Sequence, residues 1–285
     1  VKYVICYSGG HSSALCAIEA VRKHGKENVI LLNHDITPKV EDEDIKRFKQ
    51  EVADYLGLDI TYANHERWNT ATPVQVCKDA KAWKVDNGTA LCTNRLKTAP
   101  FKDWLQLCDP NRENVYIYGF DNNPKEMARA TRRTGILGSD GYKTDYPLIT
   151  WERTISSTTE IGIEPPLLYN RFVHANCIGC LKAGWQHWYI VYCERPDIWE
   201  EAKEAEEAIG YAIHKDKDGA VYLEDKEELF ELMKIAGVEP SEHVHYNKFW
   251  PIAKRKAAEV MESIKLVEMD ELAEHDDGVC LDCMA

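Results

Sequence analysis

The chain has 285 residues, 44% of them hydrophobic and 29% charged, an ordinary globular composition that excludes a chain disordered throughout. Its net charge of −13 argues against a dedicated nucleic-acid coat, because phosphate neutralisation supplies most non-specific affinity; only a local basic cleft stays open. No run of about 18 apolar residues and no charged-then-apolar leader is present, so no membrane contact and a cytoplasmic location are expected.

A strand is predicted over Tyr3–Tyr7, running into Ser8-Gly9-Gly10-His11-Ser12-Ser13 and then a helix over Ala14–His24. Val29–Leu32 is continuously apolar, as in a strand covered on both faces. Ile45, Phe48, Val52, Tyr55 and Leu56 repeat at helical spacing behind the acidic start Glu41–Asp44. Gly57 ends that helix, Leu58–Tyr62 and Val115–Tyr118 read as further strands, and Pro124 opens another helix. This β-α-β-α order predicts an α/β fold with a doubly wound, mostly parallel sheet. Trp151–Gly162 reads as a helix ending near Pro165-Pro166. Helices are then predicted over Trp185–Cys193, Asp197–Ile209, Lys226–Ala236 and Trp250–Leu266, with a small hairpin over Tyr211–Tyr222 around Gly219. The expected division is 1–150 for a nucleotide-binding domain and 151–210 for its helical extension. A C-terminal helical region over 211–285 follows, with a mobile acidic tail. Its acid-rich runs read as solvated helix faces.

The Ser8–Ser13 segment has the composition of a phosphate cradle. Paired glycines permit positive φ and close backbone approach. Consecutive amides and the positive end of the following helix can meet one anion, and Ser8, Ser12 and Ser13 add hydroxyl donors. His11 is a further candidate donor. Lys97, Arg129, Arg132 and Arg133 are the cations expected near phosphate, with a solvated helix face as the alternative for the last two.

Ten cysteines without a leader point to metal, cluster or redox use rather than a disulfide framework. Cys177-x-x-Cys180 has ligand spacing, with Gly179 easing a tight knuckle. Cys280-x-x-Cys283 lies in the tail. Cys6, Cys16, Cys108 and Cys193 read as small core residues, and Trp185, Trp188 and Tyr189 as core packing rather than a base-stacking platform.

Ser8-Gly9-Gly10-x-x-Ser13 resembles the PP-loop of N-type ATP pyrophosphatases and of the phosphoadenylyl-sulfate (PAPS) reductase family. Further segments follow in the family's order. They are Leu32-Asn33-His34-Asp35-Ile36-Thr37, Cys92-Thr93-Asn94-Arg95-Leu96-Lys97 through Pro100, Tyr118-Gly119-Phe120-Asp121 followed by Glu126 and Arg129, Tyr146-Pro147-Leu148 through Trp151, and Asn176-Cys177-Ile178-Gly179-Cys180 with Pro196 and Glu204 later. The resemblance covers roughly residues 1 to 210. It implies adenine-nucleotide binding, of ATP or adenylyl-sulfate, by Ser8, Gly9, Gly10, His11, Ser12, Ser13, Asp35, Lys97, Gly119 and Arg129. Two departures stand out. The usual ATP pyrophosphatase form is acidic where this chain has Ser12, which removes a candidate Mg2+ partner, and the family's arginine is replaced by Asp121.

The same resemblance makes Cys92 a third ligand beside Cys177 and Cys180. Three thiolates on a [4Fe–4S] cluster leave one iron open, as in the similar PP-loop tRNA thiolases; a related segment occurs in the PP-loop protein of DNA phosphorothioation systems. Zinc, no metal, and a fourth ligand from His174 or Cys77 stay open. The implied activity is sulfonucleotide reduction, with Cys280 and Cys283 as tail thiols and Lys97 in the catalytic set, or adenylylation-dependent sulfur transfer. A sulfur or electron donor protein is the implied partner, and nucleic acid enters only as a substrate. The alternatives are a nucleotide-binding module without catalysis and a nucleic-acid thiolation component.

Overall fold

In the computed structural model, residues 1–276 are described except Asn69, Asn87 and Asn176, with side chains through Leu266. Strand β1 (Tyr3–Cys6) is covered on both sides. Val4 packs with Leu32, Phe101 and Tyr116, while Ile5 packs with Ile18, Leu31 and Phe48. Alternating side chains of one strand thus enter two cores, which is why its sequence is continuously apolar.

Helix α1 (His11–His24), β2 (Val29–Asn33), α2 (Glu43–Leu56) and β3 (Ile60–Tyr62) follow. The carboxylate of Asp42 accepts from Asp44 N at 2.8 Å and caps α2, and Gly57 at φ +61° ends it. Helix α3 (Pro73–Ala80) leads to α4 (Leu91–Thr93), a π turn over Asn94–Thr98, and α5 (Ala99–Cys108). Pro100 has no amide hydrogen for the carbonyl of Leu96, and the widened turn directly precedes it. Then come β4 (Val115–Ile117), α6 (Pro124–Ser139), β5 (Lys143–Asp145) and α7 (Pro147–Thr150).

The five strands are all parallel in the order β3-β2-β1-β4-β5. Side chains of α1 and α2 fill one face, and those of α5 and α6 the other. This α/β arrangement is compatible with the expected doubly wound class. Strand order reverses between β1 and β4, and in such sheets ligands bind beyond the carboxyl ends of the strands at that reversal.

Trp151–Gly162 is not the helix its pattern predicts. It is a loop with one 3-10 turn, Thr158–Ile161, closed by a capping box between Ser157 and Glu160. The buried carboxylate of Glu19 on α1 accepts from Thr154 N at 2.6 Å and Ile155 N at 3.1 Å, so these amides are committed outside any helix. Glu19→Ala is expected to destabilise the fold by about 1–3 kcal/mol, because it strands buried donors. Urea unfolding measures this; an unchanged midpoint would remove Glu19 as the anchor of the loop.

The C-terminal half contains α8 (Trp185–Glu194), α9 (Pro196–Ile209), the hairpin β6 (His214–Lys215) and β7 (Ala220–Val221), α10 (Glu227–Ile235) and α11 (Tyr246–Asp276). Helix α11 is longer at both ends than its apolar pattern. One apolar core joins Ile36, Val40, Cys77 and Cys92 to Trp188, Trp199, Phe230 and Phe249, so packing continues across residue 210. Cys16 is buried and Cys6 and Cys193 partly so, but Cys108, expected in the core, is exposed at the end of α5. Trp188 and Tyr189 are fully buried core residues, as expected. Among the described residues no helix is long and apolar enough to cross a membrane.

Candidate functional site

Ser8, Gly9 and Gly10 join the carboxyl end of β1 to the first turn of α1. The positive φ falls at Gly9 (+81°) and not at Gly10, which is extended at φ −86°, ψ 158°. A methyl group at Gly9 would come within 2.8 Å of Lys49 Cγ and Cδ and 2.9 Å of Ile45 Cγ2. Lys49 lies buried beneath the turn, its ammonium bonded to Glu41 at 2.8 Å and to Asn33 Oδ1 at 3.3 Å. Ser13 Oγ donates to Gly10 O at 2.8 Å, and Ser8 Oγ lies 3.3 Å from Ser13 Oγ. The loop is therefore held from below, and the first-turn amides of α1, which have no intrahelical acceptor, carry its positive pole.

The turn after β4 closes on the same helix end. At Gly119 a methyl group would sit 2.7 Å from Ser13 N and 2.8 Å from Ser12 C, so only glycine permits this approach. Two residues on, Asp121 Oδ2 accepts from Ser12 Oγ at 3.0 Å. Arg153 Nη2 lies 3.5 Å from the other carboxylate oxygen.

Two neighbours change the expected donor set. His11 Nε2 accepts from Thr158 N at 3.2 Å, and burial lowers the pKa of the ring. That nitrogen is an acceptor for the backbone, which leaves the proton on Nδ1 as the donor the neutral ring can offer. Tyr169, on the 3-10 turn Leu167–Asn170, accepts from His11 N at 3.0 Å with its hydroxyl. A methyl at Gly10 would lie 3.3 Å from that hydroxyl and 3.6 Å from Ala175 Cβ. Segment 169–175 thus covers the loop. Nothing in the sequence marks Tyr169 for this position except its nearness to Pro165-Pro166.

The thiols come together on the adjoining side. Cys92 on α4 receives a hydrogen bond from Cys77 on α3, which lowers the pKa of Cys92 and, together with burial, raises that of Cys77. Burial raises the pKa of Cys177, the positive charge of Lys97 opposes this, and Cys180 and Cys92 add to the rise. Lys97, in the π turn, also lowers the pKa of His34 at the end of β2, after burial has done so more strongly. The charge of Lys97 thus acts both on His34, just after β2, and on Cys177. Ile178 N donates to Val40 O at 2.8 Å, which docks the Cys177–Cys180 turn on the chain entering α2. His187 Nε2 accepts from Gly179 N at 3.2 Å and Cys180 N at 3.3 Å, with its other nitrogen 3.4 Å from Glu242. His187 is a positioning residue that spacing did not reveal. Among the described residues no three His, Cys, Asp or Glu side chains converge on a single ion position.

Other expected residues are engaged elsewhere. Asp35 pairs with Lys46 at 2.6 Å, and Arg129 pairs with Glu126 at 2.8 Å while lying over the Phe120 ring at 4.7 Å. Arg132 is exposed, and Arg133 lies 5.2 Å from the Tyr118 ring centre. Two clefts, of about 700 and 380 Å3, both reach Ile178 and Arg195 beside the thiol turn; neither includes a residue of the Ser8–Ser13 loop. Cys280 and Cys283 lie outside the described residues. Comparison with protein-family models, with curated proteins and with solved structures finds no match to this chain.

Proposed function

We propose that the chain binds an adenine nucleotide by its phosphates on the Ser8–Ser13 loop. It uses that nucleotide for sulfur chemistry at the adjoining thiols, as a PP-loop enzyme of the PAPS reductase and ATP-dependent sulfurtransferase kind. The observation that carries this reading is the position of Ala175. It packs on Gly10 at the sheet's topological reversal, and Cys177 follows it by two residues. An anion cradle and a thiol group thereby share one end of the molecule.

In this reading the first-turn amides of α1 and the hydroxyls of Ser8 and Ser13 take the phosphate oxygens. The Tyr169 hydroxyl occupies an amide that a phosphate oxygen needs, so nucleotide entry displaces it. Lys97 contributes positive charge at Cys177.

Cys92, Cys177 and Cys180 are the thiols that would hold a [4Fe–4S] cluster, whose irons take cysteine thiolates as ligands. When bound, a three-thiolate cluster supplies an open iron for sulfur. His187 keeps the turn's amides oriented, and Lys97 favours the thiolate of Cys177.

Protein purified without oxygen is expected to carry about four irons and four acid-labile sulfides per chain. It should also release pyrophosphate from ATP or sulfite from adenylyl-sulfate. Cys177→Ala is expected to lose iron and visible absorption together. Zinc in place of iron, or full iron content in the variant, would overturn the ligand set.

A further inference from the structure

We propose that the exposed face of the first half of α11 is a docking surface for an unpaired polynucleotide strand, which it leads to the Cys177–Cys180 turn. The proposal adds a macromolecular ligand to the reading above, and its binding test stands apart from that reading.

Between Glu242 and Glu259 the sequence has no acidic residue and four cations, Lys248, Lys254, Arg255 and Lys256, in a chain of net charge −13. Phe249, Ala253 and Ala257, spaced four apart, are buried against the aromatic core, so the helical period turns Lys248, Lys254 and Arg255 to solvent. Among the described residues these four cations make one ion pair, Arg255 with Glu259 at 3.8 Å, between side chains 71% and 67% exposed, where water screens it. Elsewhere cations are neutralised at close range, as Lys46 is by Asp35, Arg195 by Asp197 and Lys203 by Glu227. The α11 face thus keeps its positive charge for an external anion, a local basic surface on an acidic body.

Cations alone would suit any polyanion, an acidic protein surface included. The rings beside them narrow the choice. Tyr246 opens α11 with 60% of its surface exposed, the His245 ring lies 4.6 Å from it, and His243 is exposed as well. An exposed tyrosine set among cations is the pairing that holds single strands, whose phosphates meet the charges and whose free bases stack on the ring. A duplex keeps its bases stacked on one another and offers the face its phosphates only.

The face begins beside the thiols. Glu242 N donates to Arg171 O at 2.8 Å, and Glu242 Oε2 accepts from Val173 N at 3.0 Å. Gln186 Nε2 donates to Ser241 O at 2.7 Å and to Val244 O at 2.9 Å. The chain entering α11 is therefore tied to the segment entering the Cys177–Cys180 turn. The Glu242 carboxylate is turned inward, 3.4 Å from His187, whose other nitrogen holds the amides of Gly179 and Cys180. Val173 and His174, both exposed, continue from this junction to Cys177. A strand lying on Lys248 and Tyr246 is led along them to the thiols.

The test is fluorescence anisotropy of the full chain with a labelled single-stranded oligonucleotide, competed by its duplex and by heparin. The strand is expected to bind, with affinity falling about twentyfold between about 50 and 200 mM salt, the dependence of roughly three phosphate contacts on a single strand. Replacing Lys248, Lys254 and Arg255 together by alanine is expected to weaken the strand tenfold or more and to flatten the salt dependence. Tyr246→Ala is expected to weaken the strand about fivefold or more and to leave heparin competition unchanged. These side chains are exposed, and Lys217→Ala, in the β6–β7 hairpin, is the control expected to bind as the wild type does. Wild-type protein that binds no strand, or a triple variant that binds it as tightly as the wild type, would overturn the proposal. So would duplex or heparin competing as well as the strand with Tyr246→Ala without effect, which would make the face a general polyanion surface of the kind an acidic protein uses. Strand binding by a chain that takes up neither nucleotide nor iron would overturn the preceding reading and leave this one standing.

Discussion

Gly119→Ala is expected to weaken nucleotide binding by more than about tenfold and to destabilise the chain by about 1–3 kcal/mol, the usual range for overpacking. The added methyl would meet Ser13 N at 2.7 Å and the Ser12 carbonyl carbon at 2.8 Å. Both are backbone atoms of the first turn of α1, with no flexible side-chain end to move aside. Relief requires the β4–α6 turn to back away from α1, which carries Asp121 off Ser12 and opens the anion cradle on one side. Gly135→Ala is the control. It lies on α6 with nothing within 4 Å of the new methyl and without a positive φ. There alanine is expected to stabilise by about 0.5–1 kcal/mol through helix propensity, with affinity unchanged. Urea unfolding and calorimetric titration read both variants. Unaltered affinity in Gly119→Ala would separate the turn after β4 from the binding site.

Where one physical cause acted alone, the sequence was enough. Strands β1 and β2 are buried on both faces, and their apolar runs say so. Helix α2 has its acidic start, its apolar stripe and Gly57 as a stop. Where a partner decides the structure, local pattern failed. Strand β5 is Lys143-Thr144-Asp145, polar throughout, and exists because it pairs with Val115–Ile117. Residues 151–162 carry a helical pattern, but Glu19, more than 130 positions away, takes their amides. The site shows the same division. Loop, cysteine spacing and Gly119 were legible because their chemistry is written in residue type. The positive φ was legible only to within a residue. Tyr169 over the loop and His187 behind the thiol turn were not, since each acts through a contact at long sequence separation. The meeting of Ser12 with Asp121 belongs to both classes. Each departure was visible alone, and only the fold brings them to 3.0 Å.

Phe230→Ala is expected to have the largest effect on stability, about 3–5 kcal/mol, as for a buried aromatic ring truncated in a packed core. Phe230 is fully buried on α10, with ring centres of Tyr189 at 5.3 Å and of Tyr192 and Trp199 at 5.7 Å. These rings come from α8 and α9, so the cavity loosens the helices behind the thiol turn. Helix α8 carries His187, which binds the amides of Gly179 and Cys180, and Trp188, whose ring would lie 3.7 Å from a methyl at Gly179. The Ser8–Ser13 loop instead rests on α1, Ile45 and Lys49, beside the core that includes Ile5, Ile18, Phe48 and Val52. Ile45 itself belongs to the core of Phe230, so the loop borders both cores, and the variant tests how far the loss of that ring carries. Iron retention is expected to fall in Phe230→Ala under conditions where the chain is still folded, while nucleotide affinity stays within about twofold of wild type, the scatter expected for a distant, uncoupled site. Nucleotide affinity lost in parallel with iron would mean instead that the cover over the loop, Tyr169 and Ala175, transmits the state of the helical half to the phosphate cradle.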